Sequence, residues 1–135
     1  MSPAESAGLL DTSVFIATET GRPLTTDALP ARSFISVITL AELRAGVLAA
    51  RDTDTRARRL ATLEAVSELE ALTVDDRAAA EWARLRFRLH ETGRRANVND
   101  LWIASIALAN RLPVVTQDAD YDVLAELGGP AVIRV

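Results

Sequence analysis

The chain lacks several residue types that whole classes of functional site require. It has 135 residues without a cysteine, and its 15 lysine and arginine positions are all arginine. The absence of cysteine excludes a disulfide framework, a cysteine-rich zinc site and a thiol nucleophile. The absence of lysine excludes a Walker-A phosphate loop and Schiff-base chemistry. The single histidine, His90, excludes a two-histidine acid–base pair, and its place in a helical pattern favours a structural role.

Aromatic residues and long apolar runs are also scarce. Only 4% of the residues are aromatic, too few for the base-stacking surface of a single-strand-binding protein. No apolar run approaches the roughly 20 residues of a membrane span, and the first residues lack the basic region of a leader. We therefore expect a protein that stays out of membranes and works in the cytoplasm. The net charge of −4 by itself argues against strong non-specific binding of nucleic acid.

The apolar residues are sufficient for one core and follow alternating strand and helix patterns. Hydrophobic residues make up 49% of the chain, which predicts a single domain over residues 1–135. The alternation predicts an α/β fold with a four- to five-stranded, mainly parallel sheet. Strands are expected at 9–16 (running through a polar turn into a helix), 33–36, 71–74, 113–116 and 131–135. Helices are expected at 37–50, 53–69, 75–90, 100–110 (apolar all round, hence buried, and capped by Asn97 or Asn99) and 121–127.

Four acidic residues lie near predicted strand ends or in helices beside them, and three of them, Asp11, Glu42 and Asp100, are embedded in apolar sequence. Asp11 follows the first apolar pair, and Asp118 comes shortly after the fourth strand. Glu42 lies in the helix after the second strand, and Asp100 opens the most apolar helix. Asp11 and Asp118 alone each fit a helix cap or a turn residue. Asp100 alone fits the positive end of its helix dipole, and Glu42 alone fits an ion pair with Arg44 or another arginine. Together they suggest a site, because an isolated charge in apolar surroundings is costly.

The chemistry of such a site follows from repulsion between carboxylates. Two carboxylates about 5 Å apart repel by about 3 kcal/mol at an effective dielectric of about 20. Four converging carboxylates therefore require bound protons or a divalent cation. Oxygen ligands suit Mg²⁺ or Mn²⁺, and the matching reaction is phosphodiester hydrolysis by a metal-activated water.

At these residues the sequence resembles the PIN-domain ribonucleases, specifically the VapC-type toxins of type II toxin–antitoxin pairs. The motifs occur in the family's order and span residues 9 to 135. They are Leu10-Asp11-Thr12-Ser13, Ser36 to Gly46 around Glu42, Asn99-Asp100-Leu101-Trp102, and Thr116-Gln117-Asp118-Ala119-Asp120-Tyr121. Singly each motif is weak, and jointly they are specific.

The resemblance implies α-β-α layers and a Mg²⁺- or Mn²⁺-dependent endoribonuclease that cleaves structured cellular RNA such as tRNA or rRNA. It also implies a cognate VapB-type antitoxin and a homodimer. The implied catalytic and metal-binding residues are Asp11, Glu42, Asp100 and Asp118, with Asp120 as a further metal ligand. The implied residues that orient carboxylates or waters are Thr12, Ser13, Asn99 and Thr116.

Three arginines are candidates for contact with RNA or antitoxin. Arg94 and Arg95 lie on the loop that enters the Asp100 helix, and Arg44 lies two residues after Glu42. Arginine pairs well with phosphates and carboxylates. The alternative for this loop is a solvated basic surface.

Two other functions remain open from the residues alone. One is a catalytically silent module of the same fold that binds a basic partner, and the other is a metal-dependent nuclease that acts on DNA. A haloacid-dehalogenase-type phosphatase is disfavoured because Ser13 stands where a second aspartate is needed and lysine is absent. A response-regulator receiver fails on the same missing lysine.

Overall fold

A computed structural model describes residues 6–135. The first five residues, on which the expectation about a leader partly rests, lie outside the described range. The strands are β1 (Ala7–Leu10), β2 (Arg32–Ser36), β3 (Glu70–Leu72), β4 (Val114–Thr116) and β5 (Val132–Arg134). The helices are α1 (Thr12–Thr20), α2 (Val37–Ala49), α3 (Thr53–Val66), α4 (Asp76–Glu91), α5 (Val98–Ala109) and α6 (Asp122–Glu126). Short 3-10 turns occupy Thr26–Ala28 and Ala119–Tyr121.

The five strands form one sheet in the order β3-β2-β1-β4-β5. Every pairing is parallel, so the sheet is wholly rather than mainly parallel. β1, the first strand in the chain, therefore lies in the centre, with the chain's first half on one side and its second half on the other. The α/β class and the parallel sheet predicted from the sequence are confirmed.

Helices cover both faces of the sheet because neighbouring residues of a strand point to opposite sides. Leu9 and Val114 pack in a cluster with α4, α5 and α6. Leu10 and Val115 pack on the other side with α1, and Ile35 there contacts the residues of α2 and α3. The result is the three-layered α-β-α arrangement expected from the sequence.

Side-chain caps fix where several helices begin. The side chains of Ser36, Asp52 and Asp75 accept hydrogen bonds from backbone amides in the first turns of α2, α3 and α4. Asn97 accepts from the amides of Asn99 and Asp100. Of the two asparagines expected as the cap of α5, Asn97 is therefore the cap, and the helix begins at Val98, two residues before the predicted start.

Two predicted strands differ from the structure by two or more residues at one or both ends, and the other three by no more than one residue at either end. The run 9–16 was expected as a strand leading into a helix, but β1 ends at Leu10 and Val14 and Ala17 of α1 are buried against the sheet. A short apolar run does not by itself distinguish a strand from a buried helix face. β3 covers Glu70–Leu72 rather than 71–74, because its partner β2 ends at Ser36, opposite Leu72.

Seven of the 12 residues of α5 are buried, as its apolar sequence predicts. Its first turn carries Asp100 to the same end of the sheet as the end of β1. Within residues 6–135 no helix is both long and apolar enough to cross a membrane.

Candidate active site

Asp11 and Asp118 lie beyond the carboxyl ends of two adjacent strands. β1 and β4 are parallel neighbours, with Leu10 level with Val115. The amide of Asp11 donates a hydrogen bond to the carbonyl of Val115 over 2.9 Å. In open α/β sheets this edge is where ligands bind. Asp11 and Asp118, more than 100 residues apart in the sequence, therefore lie at the same edge of the sheet.

Three hydroxyl groups hold the buried carboxylate of Asp11, which is 3% exposed. Ser13 Oγ and Thr116 Oγ1 donate to its Oδ2 over 2.7 and 2.6 Å, and the Tyr121 hydroxyl donates to its Oδ1 over 3.2 Å. Among residues 6–135 no arginine or histidine forms an ion pair with it. Asp11 is thus a buried, oriented carboxylate with no counter-charge from the chain.

The capping interpretation of Asp11 and Asp118 is wrong. Each occupies the residue before a helix or 3-10 turn, but neither side chain makes a capping hydrogen bond. Asp52 and Asp75 occupy the same kind of position and do cap their helices. The chain therefore uses aspartates as caps elsewhere but does not use these two as caps, and the charge of Asp11 acts on Asp118.

Asp100 is coupled to Asp11 through Tyr121. The fully buried Tyr121 hydroxyl lies 3.2 Å from Asp100 Oδ1 as well as from Asp11 Oδ1. Burial and the charge of Asp11 raise the pKa of Asp100 to about 6, the charges of Asp120 and Glu42 add to this, and the tyrosine hydrogen bond opposes it. Burial and the same two carboxylates also raise the pKa of Tyr121, so its hydroxyl keeps its proton.

The pKa of Asp118 is affected by some of the same charges. Burial raises its pKa, and so do Asp11 and Asp120, whereas Arg22 and Arg134 lower it. Asp120 is exposed on the 3-10 turn that follows β4. The charges of Asp11 and Asp120 therefore act on both Asp100 and Asp118.

Glu42 is held beside this group by the start of α1. Thr12 Oγ1 donates to Glu42 Oε1 over 2.8 Å and lies 3.1 Å from Thr39 Oγ1. Thr12 is 8% exposed and Thr39 is fully buried. α1 and α2 thus meet through hydroxyls that fix the glutamate.

The donor set fits a hard divalent cation by its chemistry. The polar side-chain atoms around Asp11, Asp100 and Glu42 are carboxylate and hydroxyl oxygens, the type that Mg²⁺ and Mn²⁺ prefer. Within residues 6–135 no group of three or more acidic or histidine side chains is arranged to hold one ion. The carboxylates stand around hydroxyl groups instead, and their mutual repulsion favours a cation.

The family model of the PIN domain matches residues 8–127. The chain belongs to the PIN-domain family. Within that family it is similar to VapC proteins of Mycobacterium tuberculosis. It is 57% identical to Ribonuclease VapC5 over 135 residues, which cover all of both chains. It is 38% identical to Ribonuclease VapC4 over 120 residues, which cover 88% of this chain and 92% of that one.

A solved structure also matches this PIN domain. It is a chain from the crystal structure of VapBC-5, a member of the VapBC family of toxin–antitoxin systems from M. tuberculosis. The match has a TM-score of 0.86 and 56% identity, and covers 96% of this chain and 99% of that chain. The family resemblance stated from the motifs is confirmed.

The structure places the remaining predicted residues of this VapC-like chain at different distances from the carboxylates. Asn99 is exposed in the first turn of α5. Arg94 pairs with Glu126 over 2.5 Å. Arg95 forms no ion pair with a described residue, and Arg44 is exposed on α2. Arg95 is thus the freer of the two loop arginines.

Two residues of the site had no role in the sequence-based prediction. Tyr121 occurs in the last motif and contacts two carboxylates, and Thr39 supports Thr12. The placement of Tyr121 directly after an acidic pair, on a turn that follows a buried strand, is a pattern that points to this edge. Thr39 carries no comparable pattern, because a buried threonine in a helix has the sequence context of ordinary core.

Proposed function

We propose that this PIN-domain protein is a metal-dependent endoribonuclease toxin whose substrate is structured cellular RNA, such as tRNA or rRNA. The names of the two VapC relatives support a ribonuclease. The fold supports a site at the carboxyl edge of the parallel sheet, where the acidic residues lie.

The observation that carries the proposal is a buried carboxylate, Asp11, that lies among further carboxylates and has no ion-pair partner among residues 6–135. Burial and the charge of Asp11 raise the pKa of Asp100 to about 6. A buried structural acid in a stable fold is normally paired with a cationic side chain. An unpaired buried carboxylate among other acids at a strand edge is the arrangement that a cation-dependent phosphodiesterase requires.

Asp11, Glu42, Asp100 and Asp118 would hold Mg²⁺ or Mn²⁺, with Asp120 as a further ligand. Bound there, the ion would supply charge neutralisation at the phosphate and activation of the attacking water. The chain itself sets the orientation of these ligands. Ser13 and Thr116 fix one oxygen of Asp11, and Thr12 fixes Glu42.

A protein side chain that delivers a proton is harder to assign. His90 is exposed near the end of α4 and lines a different cleft, together with Trp82 and Arg86. The chain has no cysteine or lysine, and Tyr121 keeps its proton because its pKa is raised. We therefore assign the binding, orientation and desolvation of the substrate to the chain's residues, and the delivery of a proton to none of its side chains.

The partner we propose is a VapB-type antitoxin that covers the site and blocks cleavage. Structural relatives are described as VapBC complexes, including one from Salmonella typhimurium bound to DNA. We also propose a homodimer that acts in the cytoplasm. Arg94, Arg95 and Arg44 are candidate contacts for antitoxin carboxylates or RNA phosphates.

The experiment is cleavage of total cellular RNA by antitoxin-free protein. Reactions contain Mg²⁺ or Mn²⁺, with EDTA as one control and the Asp100→Asn variant as another. We expect discrete fragments that require both the ion and Asp100, and sequencing of their ends identifies the target. Asp27→Asn, at an exposed acidic position outside the site, is the matched control and should cleave normally.

Two outcomes separate the alternatives. Cleavage of DNA in preference to RNA would replace the ribonuclease by a DNA nuclease. A folded protein that titrates no Mg²⁺ or Mn²⁺ and cuts neither polymer would be a silent PIN module.

A further inference from the structure

A second cleft lies beside the carboxylates, between α4 and the loop that leads into α5. It has a volume of about 560 Å³, within the usual range for ligand sites. Its basic wall comprises Arg86, His90, Arg94 and Arg95, and no acidic residue lines it within the described part of the chain. On a protein with a net charge of −4, this is a local concentration of positive charge.

Two of these arginines are available to an anionic ligand. Arg94 is already paired with Glu126 over 2.5 Å. Arg86 and Arg95 are exposed and form neither an ion pair nor a side-chain hydrogen bond with residues 6–135. A guanidinium group that is not neutralised by its own chain suits phosphate oxygens, which it can hold through two parallel hydrogen bonds.

The floor of the cleft is apolar and partly aromatic. Trp82, Leu89 and Leu101 contribute to it, and Val98 stands at its edge with 64% of its surface exposed. Trp82 is stacked on Trp102 with ring centroids 5.0 Å apart, so its ring is held in place. The Trp82 indole N–H is buried without an acceptor among residues 6–135, an unusual state for a buried donor. Cationic walls above an apolar floor fit a nucleotide, which has a charged phosphate and a flat base.

The cleft shares part of its lining with a depression on the side of the carboxylates. Arg94, Arg95 and Ala96 line both, and the depression also contains the acidic residues Asp120, Asp122 and Glu126. Asp120 acts electrostatically on Asp100 and Asp118. A strand leaving the carboxylates therefore meets Arg95 and then the basic cleft.

The loop is built to present these arginines in a fixed place. The amide of Gly93 donates to the carbonyl of His90, and the amide of Arg94 donates to the carbonyl of Leu89 over 2.9 Å. Gly93 has a φ of 65°, the left-handed conformation that allows α4 to end in this hydrogen-bonded turn. The turn thus fixes the backbone just before Arg95, which lines both depressions.

We propose that this cleft is an RNA-binding subsite in which Arg86 and Arg95 hold phosphates of a strand flanking the cleaved bond, and the floor around Trp82 and Val98 takes a base. This inference rests on the proposed ribonuclease function and extends it to the path of the substrate. An acidic peptide is the competing ligand.

The test compares the double variant Arg86→Ala plus Arg95→Ala with Arg51→Ala plus Arg58→Ala. Both pairs remove two exposed positive charges, and the second pair lies outside the cleft. Binding of a fluorescein-labelled, mixed-sequence single-stranded RNA of about 20 nucleotides is measured in EDTA across a salt series. Polyglutamate is the parallel probe for an acidic peptide.

We expect the cleft variant to bind RNA about 10- to 30-fold more weakly near 0.1 M salt, with a salt slope shallower by about 1.4. In metal-supported cleavage of total RNA it should need a higher substrate concentration, with a smaller change in the maximal rate. The control pair should match the wild type, and both variants should keep the wild-type melting temperature and elution volume.

Several results would overturn the inference. Equal RNA binding by the two double variants would remove the cleft from the RNA path, even if the wild type cleaves normally. Loss of polyglutamate binding with RNA binding intact would assign the cleft to an acidic partner, and an altered elution volume would assign it to contacts between copies. Failure of the wild type to bind or cleave RNA would overturn the proposed function together with this subsite.

Discussion

The hydroxyl of Tyr121 lies 3.2 Å from Oδ1 of Asp100 and is fully buried. It lies equally far from Oδ1 of Asp11. A hydroxyl has one proton, so it donates to one of these carboxylates at a time. The phenol therefore links two negatively charged groups that otherwise repel each other.

Replacing Tyr121 by phenylalanine should destabilise the protein mainly in the absence of metal. The ring is kept, but Asp100 loses the only side-chain hydrogen bond it receives within residues 6–135, which costs about 1–2 kcal/mol. A bound cation would neutralise the same carboxylates, so added Mg²⁺ should stabilise Tyr121→Phe more than the wild type. Urea unfolding with EDTA and with Mg²⁺ measures both effects. An equal loss in the two conditions would mean that the hydroxyl serves the fold alone.

Asp11 and Asp118 should respond oppositely to replacement by asparagine. Asp118 receives no side-chain hydrogen bond from the described chain, so Asp118→Asn relieves repulsion and should stabilise the metal-free protein by about 0.5–1 kcal/mol. Asp11→Asn presents an amide to three hydroxyls that converge on a carboxylate, and should cost about 1–3 kcal/mol. Both variants should lose RNA cleavage. Urea unfolding in EDTA, with cleavage assays beside it, measures the pair, and a shift of the same sign in both would contradict the hydrogen-bond argument.

Metal-free stability should increase as the pH falls from about 7.5 to about 5. The pKa of Asp100 is raised to about 6 from 3.8, so the folded state binds this proton more tightly than the unfolded state does. The gain begins as the pH passes through the folded-state value and is complete below the unfolded-state value. We expect roughly 1 kcal/mol, allowing for solvent screening of this half-buried group. Chemical unfolding in EDTA should show a flatter profile for Asp100→Asn, and an equally steep one would assign the effect to other groups.

Mg²⁺ or Mn²⁺ should stabilise the protein in a saturable way. Binding to the folded state alone adds about 2.7 kcal/mol at a concentration 100 times the dissociation constant. The shift in melting temperature should vanish with EDTA and be largely lost in Asp100→Asn. The exposed-site variant Asp27→Asn should keep it, and a matching loss there would indicate diffuse charge screening.

The sequence was informative where acidic residues stand at the ends of regular apolar strand or helix patterns. Asp11 and Asp118 follow apolar strands, and α5 is apolar all round, so the parallel sheet and the acidic edge were predictable. The end of β3 was not, because it is set by where β2 stops pairing at Ser36. The motif around Tyr121 points to this edge, but the contact of its hydroxyl with Asp11 was not predictable, since that contact joins residues 110 positions apart. A sequence pattern that places an aromatic residue in the core does not show which groups its hydroxyl contacts.

The central position of β1 fixes when the site can exist during synthesis. Asp11 is made well before Thr116 and Tyr121, which orient it and follow 105 and 110 positions later. Until β4 is added, that edge of β1 lacks the neighbour that it has in the described fold. Contacts of such sequence separation form late in folding. A growing chain that ends before β4 therefore carries Asp11 without the hydroxyls of Thr116 and Tyr121, and the group of carboxylates is completed only after this later segment has been translated and folded.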